Sequence, residues 1–272
     1  MEIIFFVLPF LFLFFVGCCV GSFLNVIIYR SERGESWVWG RSRCESCQKI
    51  LAWHDNIPIF SYLVLRARCR YCKAPLSSGH LIIESLMGLL FVWWYVMGSL
   101  FFKLTEQPFT ILQPLFWLGV GIILLTIFVT DLQYLYIPDA ATLLLTIMVV
   151  IYRVTLVLNG VMQLQDFILS VCTMAGAMLF IWSLWYFTKG KGMGYGDVKL
   201  ALPLGLLLGW PSTLVWLFVS FVSGALFGLV LLLFKKAHMK QALPFGPFLI
   251  LGTLVALIWG DEIFRLYVTL IL

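Results

Sequence analysis

The sequence opens with an uncharged apolar stretch, residues 3–29, that runs IIFFVLPFLFLFFVGCCVGSFLNVIIY. A membrane-spanning helix needs roughly 20 consecutive apolar residues, and this stretch is longer than that. It exceeds the apolar core of a secretory signal peptide, follows the acidic residue Glu2 and lacks a clear cleavage motif. We therefore predict that it is retained as the first membrane span.

The composition of the whole chain points in the same direction. Its 272 residues are 62% hydrophobic and 11% charged, with a mean hydropathy of +1.03, whereas soluble domains are about 45–50% apolar and about 25% charged. Soluble, disordered and disulfide-scaffold classes are excluded. We predict an all-α polytopic membrane protein with about eight spans, at about 3–29, 82–101, 114–130, 139–158, 167–187, 198–210, 212–234 and 245–268. The sixth is short enough to be tilted inward, packed against neighbours or partly re-entrant.

The basic residues are distributed unequally between alternate loops. Segment 30–80 holds nine of the 18 lysines and arginines, and segments 188–199 and 235–243 hold three each. The other side has only Lys103, Arg153 and Arg265. The positive-inside rule therefore predicts that both termini lie outside and that the large loop is cytoplasmic. The net charge of +5 fits this topology, so we expect the lipid bilayer as a partner and no nucleic acid.

Two CxxC pairs stand in the large polar loop. Cys44-Glu-Ser-Cys47 and Cys69-Arg-Tyr-Cys72 are separated by 21 residues, a spacing close to that of four-thiolate zinc sites. Two disulfides or inert thiols are the alternative, and the reducing cytoplasm disfavours disulfides. Four protein ligands leave no open coordination position, so we predict a structural zinc ion. For His54 and His80 we expect ordinary polar or packing roles.

Two aspartates stand at predicted ends of spans on the cytoplasmic side. Asp131 ends the third span, and Asp197 opens the sixth within Gly194-Tyr195-Gly196-Asp197. Two adjacent carboxylates can share a proton, so that one activates water while the other polarises a carbonyl group. The alternative is that each is a span-terminal charge that stays in water or pairs with Lys191 or Lys199.

Other residues near these aspartates are candidates for supporting roles, and we include Lys199 among them. Gly194 and Gly196 are expected to allow unusual backbone conformations and close approach of an extended substrate. Asp139 follows Pro138, where it either stabilises a helix N-terminus or takes part in catalysis. Glu84 lies one turn into the second span, where a carboxylate needs a partner or a task.

The order of these motifs resembles the bifunctional type IV prepilin leader peptidase/N-methyltransferase family, a group of GxGD-type membrane aspartic proteases. The resemblance covers nearly the whole chain. Its motifs are Gly21-Ser22-Phe23-Leu24-Asn25-Val26 with Arg30, the paired CxxC module with Asn56-Ile57-Pro58 and Ser61, Asp131 with Ile137-Pro138-Asp139, Gly194-Tyr195-Gly196-Asp197-Val198-Lys199, and Pro244-Phe245-Gly246-Pro247. The chain departs from the family at Ser78-Gly79-His80, where an Arg-Tyr-Pro-like step is usual.

The resemblance implies a function as well as a fold. It makes Asp131 and Asp197 the catalytic pair and associates the cysteine module with zinc and with methyl transfer from S-adenosylmethionine. It implies prepilin or pseudopilin substrates, cut after a glycine at the cytoplasmic face of the bacterial inner membrane. The chain would divide into a first span (1–29), the zinc module (30–81) and a peptidase domain (82–272). The alternatives are a multi-span transporter or scaffold with a zinc-docking module, and another GxGD intramembrane protease.

Overall fold

The computed structural model describes residues 2–32, 36, 39–44, 46–102, 104, 108–234 and 243–271. Within these ranges the protein forms α-helices and one 3-10 turn at Trp53–Asn56, and no strand longer than an isolated bridge occurs in them. The all-α class is therefore confirmed. The helices are α1 (Glu2–Glu32), α2 (Phe60–Val64), α3 (Ser78–Val96), α4 (Gly98–Phe101), α5 (Phe109–Tyr134), α6 (Asp139–Leu158), α7 (Leu164–Phe187), α8 (Tyr195–Leu208), α9 (Ser212–Leu233) and α10 (Gly246–Ile271).

Seven of the described helices are long and apolar enough to cross a membrane: α1, α3, α5, α6, α7, α9 and α10. The predicted sixth span corresponds to α8, which has only 14 residues. At 1.5 Å per residue it extends about 21 Å, less than the roughly 30 Å of a bilayer core. The chain is therefore a multi-pass membrane protein, and the shortness expected of the sixth segment is real.

The second span differs from the prediction at both ends. Residues 82–101 were expected, but α3 runs from Ser78 to Val96. Its N-terminus is set by Ser77, whose side chain accepts a hydrogen bond from the backbone N–H of Gly79. Such N-caps favour helix initiation, so the helix begins inside the segment assigned to the polar module. It ends at Val96 with Met97 as its C-cap, and the short helix α4 follows.

The chain folds as two compact units, Met1–Ile122 and Ile123–Leu272. In the first unit α1 packs closely on α3 through two glycines four residues apart. A Cβ atom on Gly17 would lie 2.6 Å from the Met87 carbonyl oxygen, and one on Gly21 would lie 2.9 Å from the Cα atom of Glu84. Small residues at this spacing let membrane helices approach closely.

In the second unit α8 is enclosed by protein. Nine of its 14 residues are buried, and it packs on α6 and α7. At its last turn the guanidinium of Arg153, from α6, donates a 2.8 Å hydrogen bond to the carbonyl oxygen of Leu207. Helix ends leave carbonyl groups without helical partners, and a membrane interior offers no water to satisfy them. Arg153 therefore supplies a hydrogen-bond donor to a carbonyl group at the end of α8, a helix that is too short to cross the bilayer core.

Candidate active site and metal centre

Asp131 lies in the last turn of α5, and only 6% of its surface is exposed. Its Oδ2 atom accepts a 2.8 Å hydrogen bond from the backbone N–H of Gly246, the first residue of α10. A helix N-terminus carries unpaired N–H groups and a partial positive charge, and both favour a carboxylate. Oδ1 of Asp131 accepts no hydrogen bond from the residues that the structure describes.

Asp197 is the third residue of α8 and is equally buried, with 6% of its surface exposed. Its Oδ2 atom accepts a 3.1 Å hydrogen bond from the backbone N–H of Gly194, the N-cap residue of α8. A carboxylate at this position stabilises the start of a helix by satisfying that N–H group. The neighbouring charge that acts on Asp197 is that of Asp131. Both aspartates that the sequence singled out are thus buried in the second unit, within electrostatic range of each other.

The two glycines of the GxGD segment leave room for neighbouring atoms and do not provide unusual backbone conformations. Gly194 has φ −73° and ψ 150°, an extended conformation open to any residue, and Gly196 lies within α8. A Cβ atom on Gly194 would lie 3.3 Å from Oδ2 of Asp197, and one on Gly196 would lie 3.0 Å from Cβ of Ile137. The expectation of unusual conformations is therefore wrong for Gly194, and both glycines are needed for close packing around Asp197.

Lys199 forms an ion pair with Asp139 and not with Asp131 or Asp197. Its ammonium group donates to Oδ1 of Asp139, the first residue of α6, and lies 5.3 Å from the centre of the Tyr195 ring. No salt bridge within the described ranges joins a lysine or arginine to Asp131 or Asp197. Lys199 and Asp139 therefore connect the starts of α8 and α6, and Asp139 has a charged partner of its own.

The sequence did not predict that Gly246 contacts Asp131. The segment Pro244-Phe245-Gly246-Pro247 appeared only as a motif of the resemblance, although a glycine followed by proline is typical of a helix start. An added Cβ atom at Gly246 would lie 2.8 Å from Oδ2 of Asp131. The absence of a side chain is thus required for the contact between α10 and Asp131.

The four cysteines of the two CxxC pairs converge in the first unit. The Sγ atoms of Cys44, Cys47, Cys69 and Cys72 all lie within 4.8 Å of one another, and none of these cysteines forms a disulfide. The Sγ atoms of Cys44 and Cys72 are 3.8 Å apart. This separation equals the edge of a tetrahedron with zinc–sulfur bonds of about 2.3 Å. The cluster could therefore hold a metal ion.

Backbone N–H groups favour the thiolate form of one cysteine of the cluster, Cys69. The N–H groups of Cys72 and Tyr71 lower the pKa of Cys69 to about 7, because they favour the thiolate form. Metal ligation requires thiolate, so this cysteine is close to its ligating state at neutral pH.

The two CxxC pairs adopt the same local backbone structure and so form a structural repeat. In each, the N–H of the first cysteine bonds to a carbonyl oxygen five residues later, at Lys49 and at Ala74. The residue after each second cysteine has a positive φ angle, 56° at Gln48 and 60° at Lys73. The sequence does carry a signal, since an Arg-x-Arg-Cys-x-x-Cys pattern begins at both residue 41 and residue 66.

A cavity of about 760 Å³ lies in the first unit between α1, the cysteine module and the start of α3. Three buried or half-buried polar groups are fixed at its wall. Glu84 Oε2 accepts a 2.8 Å hydrogen bond from the N–H of Ile59. Asp55 Oδ1 accepts one of 2.7 Å from Arg70. Asn25 donates to the carbonyl oxygen of His80 over 3.3 Å.

Arg30 orders the chain that leaves α1. Its guanidinium donates hydrogen bonds of 3.1–3.3 Å to the carbonyl oxygens of Ser36, Trp39, Gly40 and Arg41. A single arginine can serve several carbonyl groups because it carries five N–H donors in a fixed plane. The segment that carries the first cysteine knuckle is therefore tied to the end of the first span.

Comparison with known proteins accounts for both units. Residues 15–97 match the Bacterial Peptidase A24 N-terminal domain, and residues 118–229 match the Type IV leader peptidase family. A prepilin leader peptidase/N-methyltransferase of Aeromonas hydrophila is 33% identical over 94% of this chain and 92% of its own length. The chain belongs to the prepilin leader peptidase/N-methyltransferase family.

Other relatives of the same name show similar coverage. The Pseudomonas putida protein is 34% identical over 92% of this chain and 90% of its own length, and the Legionella pneumophila protein is 32% identical over 92% and 91%. No solved structure matches the chain. The resemblance seen in the motifs is thus confirmed. The protein is an enzyme of a protease family, and the transporter and scaffold alternatives are set aside.

Proposed function

We propose that this protein is an aspartic endopeptidase that removes the basic leader from type IV prepilins or pseudopilins. The observation that supports the proposal is that two carboxylates, Asp131 and Asp197, are buried in the second unit and the charge of Asp131 acts on Asp197. Each has one oxygen held by a glycine N–H, from Gly246 or Gly194. The second oxygen of each is then available for a water molecule and for a shared proton. The family name of the relatives supports prepilins as the substrate class.

The proposed chemistry uses both aspartates at once. The ionised carboxylate takes a proton from the attacking water, and the protonated one donates its proton to the carbonyl oxygen of the scissile bond. When the tetrahedral intermediate collapses, the C–N bond breaks and the leaving nitrogen receives the proton taken from water. The products are a leader with a new carboxylate and a mature pilin with a new amine. The pair titrates as a unit, so neither residue is assigned permanently as acid or base.

We place this reaction at the cytoplasmic face of the bacterial inner membrane. The support is the distribution of charge, since the segments around residues 30–80, 188–199 and 235–243 carry 15 of the 18 basic residues. The apolar segment of the substrate would pack among the spans while its basic leader stays in the cytoplasm. The scissile bond would then reach Asp131 and Asp197 in extended form at the membrane boundary.

The second activity that we propose is N-methylation of the new N-terminal residue. S-adenosylmethionine supplies the methyl group when it is bound. The cavity of the first unit, about 760 Å³, lies within the roughly 300–1,000 Å³ typical of small-molecule sites. Asn25, Asn56 and Glu84 contribute polar groups to its wall, and these residues would bind and orient the methyl donor. The double name of the relatives supports the pairing of the two activities.

We further propose that the four-cysteine cluster holds a structural Zn²⁺ ion. Four thiolates on one ion are typical of zinc sites that fold small modules. Among the described residues between α1 and α3, the only helices are the 3-10 turn and α2. The ion would therefore fix the two knuckles and thereby the cavity wall that contains Cys44 and Cys69.

A prepilin reporter incubated with the purified protein in lipid nanodiscs tests the proposed function. With S-adenosylmethionine present, mass spectrometry is expected to show loss of the leader and a gain of about 14 Da on the mature N-terminus. The matched control is the same reporter with the glycine before the scissile bond replaced, which should remain uncut. Equal cleavage of both reporters, or none of either by folded protein, would reject the proposed substrate class.

A further inference from the structure

The short helix α2 has two different faces. Ser61, Tyr62 and Leu65 line the cavity of the first unit. Phe60, Leu63 and Val64 point away from it and are 62%, 62% and 59% exposed. Their spacing of i, i+3 and i+4 puts them on one face of the helix. Three large exposed apolar side chains on one face of a helix in a polar module indicate a contact surface.

The position of α2 along the membrane is fixed by α3. The backbone N–H of Ile59, which immediately precedes α2, donates its hydrogen bond to Glu84. Glu84 lies six residues after Ser78, the first residue of α3, which corresponds to about 9 Å along a helix. The 19 residues of α3 extend about 28 Å, so nearly the whole helix is needed to cross a bilayer core. The start of α2 is therefore held no more than about 9 Å below the start of α3, within the roughly 5–10 Å depth at which interfacial helices lie.

The residues on either side of α2 are typical of a membrane interface. Arg66 and Arg68 follow it directly and are exposed, which suits the anionic headgroups of a cytoplasmic leaflet. Trp53, in the 3-10 turn that precedes α2, is 80% exposed, and tryptophan is enriched at the headgroup level. Basic and aromatic residues around an apolar face favour a lipid surface over a second protein as the partner.

We propose that α2 is an interfacial helix, with Phe60, Leu63 and Val64 inserted among phospholipid acyl chains and Arg66 and Arg68 at the headgroups. The hydrogen bond between Ile59 and Glu84 then anchors the module from within the first unit, and the apolar face anchors it from the lipid. One wall of the cavity is thereby held at the membrane surface. In this proposal Glu84 has a structural role, the hydrogen bond to Ile59, in addition to any role in binding a small molecule.

Depth measurement by electron paramagnetic resonance tests the proposal. The seven native cysteines preclude thiol labelling, so a ketone-bearing phenylalanine analogue, modified with a nitroxide, replaces Phe60 in the full-length protein. The protein is studied in nanodiscs of phosphatidylethanolamine and phosphatidylglycerol without substrate. The matched control carries the same label at Tyr71, another exposed aromatic residue of the module, in the second knuckle.

The label at position 60 is expected to collide at least several-fold more with oxygen, which partitions into lipid, than with a water-soluble nickel chelate. The label at position 71 is expected to show the opposite ratio. Labels at Leu63 and Val64 provide independent readings if the variant at 60 fails to fold, and retained zinc and leader cleavage report a folded protein. Equal nickel access at 60 and 71 overturns the proposal. Protection at 60 only after a prepilin peptide is added also overturns it, because the face is then a protein-docking surface.

Discussion

Gly246 shows how one missing side chain shapes the candidate active site. Its N–H holds Asp131, and a Cβ atom would lie 2.8 Å from the same carboxylate oxygen. We predict that Gly246→Ala lowers kcat for leader cleavage by on the order of 10- to 100-fold, because it displaces a hydrogen-bond donor of a reacting group. Steady-state kinetics with a prepilin reporter provide the measurement.

The matched control for this prediction is Gly176→Ala in α7, where an added Cβ atom meets nothing within 4 Å. It should leave kcat unchanged. If Gly246→Ala is as active as the control, the contact between α10 and Asp131 has no part in cleavage.

Residue types and local motifs identify the candidate site residues, but they do not predict the long-range hydrogen bonds of those residues. Asp131, Asp197 and the four cysteines belong to short sequence motifs whose chemistry can be inferred without knowledge of the fold. The bond between Gly246 and Asp131 joins residues 115 positions apart, and that between Ile59 and Glu84 joins residues 25 apart. Only the fold brings such pairs together, since backbone N–H groups leave no mark in a sequence.

At the scale of helices, α8 is the element that places Asp197, and α6 contacts it at both ends. Asp139 pairs with Lys199 near the start of α8, and Arg153 donates to Leu207 near its end. We predict that Arg153→Met lowers kcat by on the order of tenfold with little change in KM, because it leaves a buried carbonyl unpaired and lets α8 shift.

Rescue separates positioning of α8 from a general loss of stability. Arg153→Lys, which keeps a donor of similar reach, should restore most of kcat, and Arg265→Met on the exposed side of α10 should have no effect. An equally low kcat in Arg153→Lys, or a loss in Arg153→Met that is matched by a smaller fraction of folded protein, would argue against a positioning role for Arg153.

Long apolar segments were predictable as helices because their periodicity and length are strong signals. The fourth span, predicted at 139–158, coincides with α6. The five-residue helix α2 could not be predicted, because periodicity is not measurable over so few residues. The early start of α3 depends on Ser77, a capping residue inside a segment that its polarity assigned to the module.

For the whole molecule, composition alone predicts a multi-pass membrane protein. The four cysteines that could hold a metal all lie in the first of its two units. We predict one zinc ion per chain, measured by inductively coupled plasma mass spectrometry on purified protein. Cys69→Ser should lower the zinc content well below one, because three thiolates and water bind the ion more weakly.

Cys172→Ser is the matched control for zinc binding, since this exposed cysteine belongs to α7, outside the cluster. It should leave the zinc content unchanged. Wild-type protein that is folded and active but contains no zinc would remove the structural role that we assign to the four cysteines.

The central claim is that Asp131 and Asp197 act as one catalytic unit, and a double-mutant measurement of leader cleavage tests it most directly. Asp131→Asn and Asp197→Asn should each lower kcat by at least about 10³-fold, and the double variant should be no slower than the slower single variant, because residues that act as a unit are not additive. The exposed Asp261→Asn variant should match wild type. Substantial activity in either single variant, or losses that simply multiply in the double variant, would contradict the account.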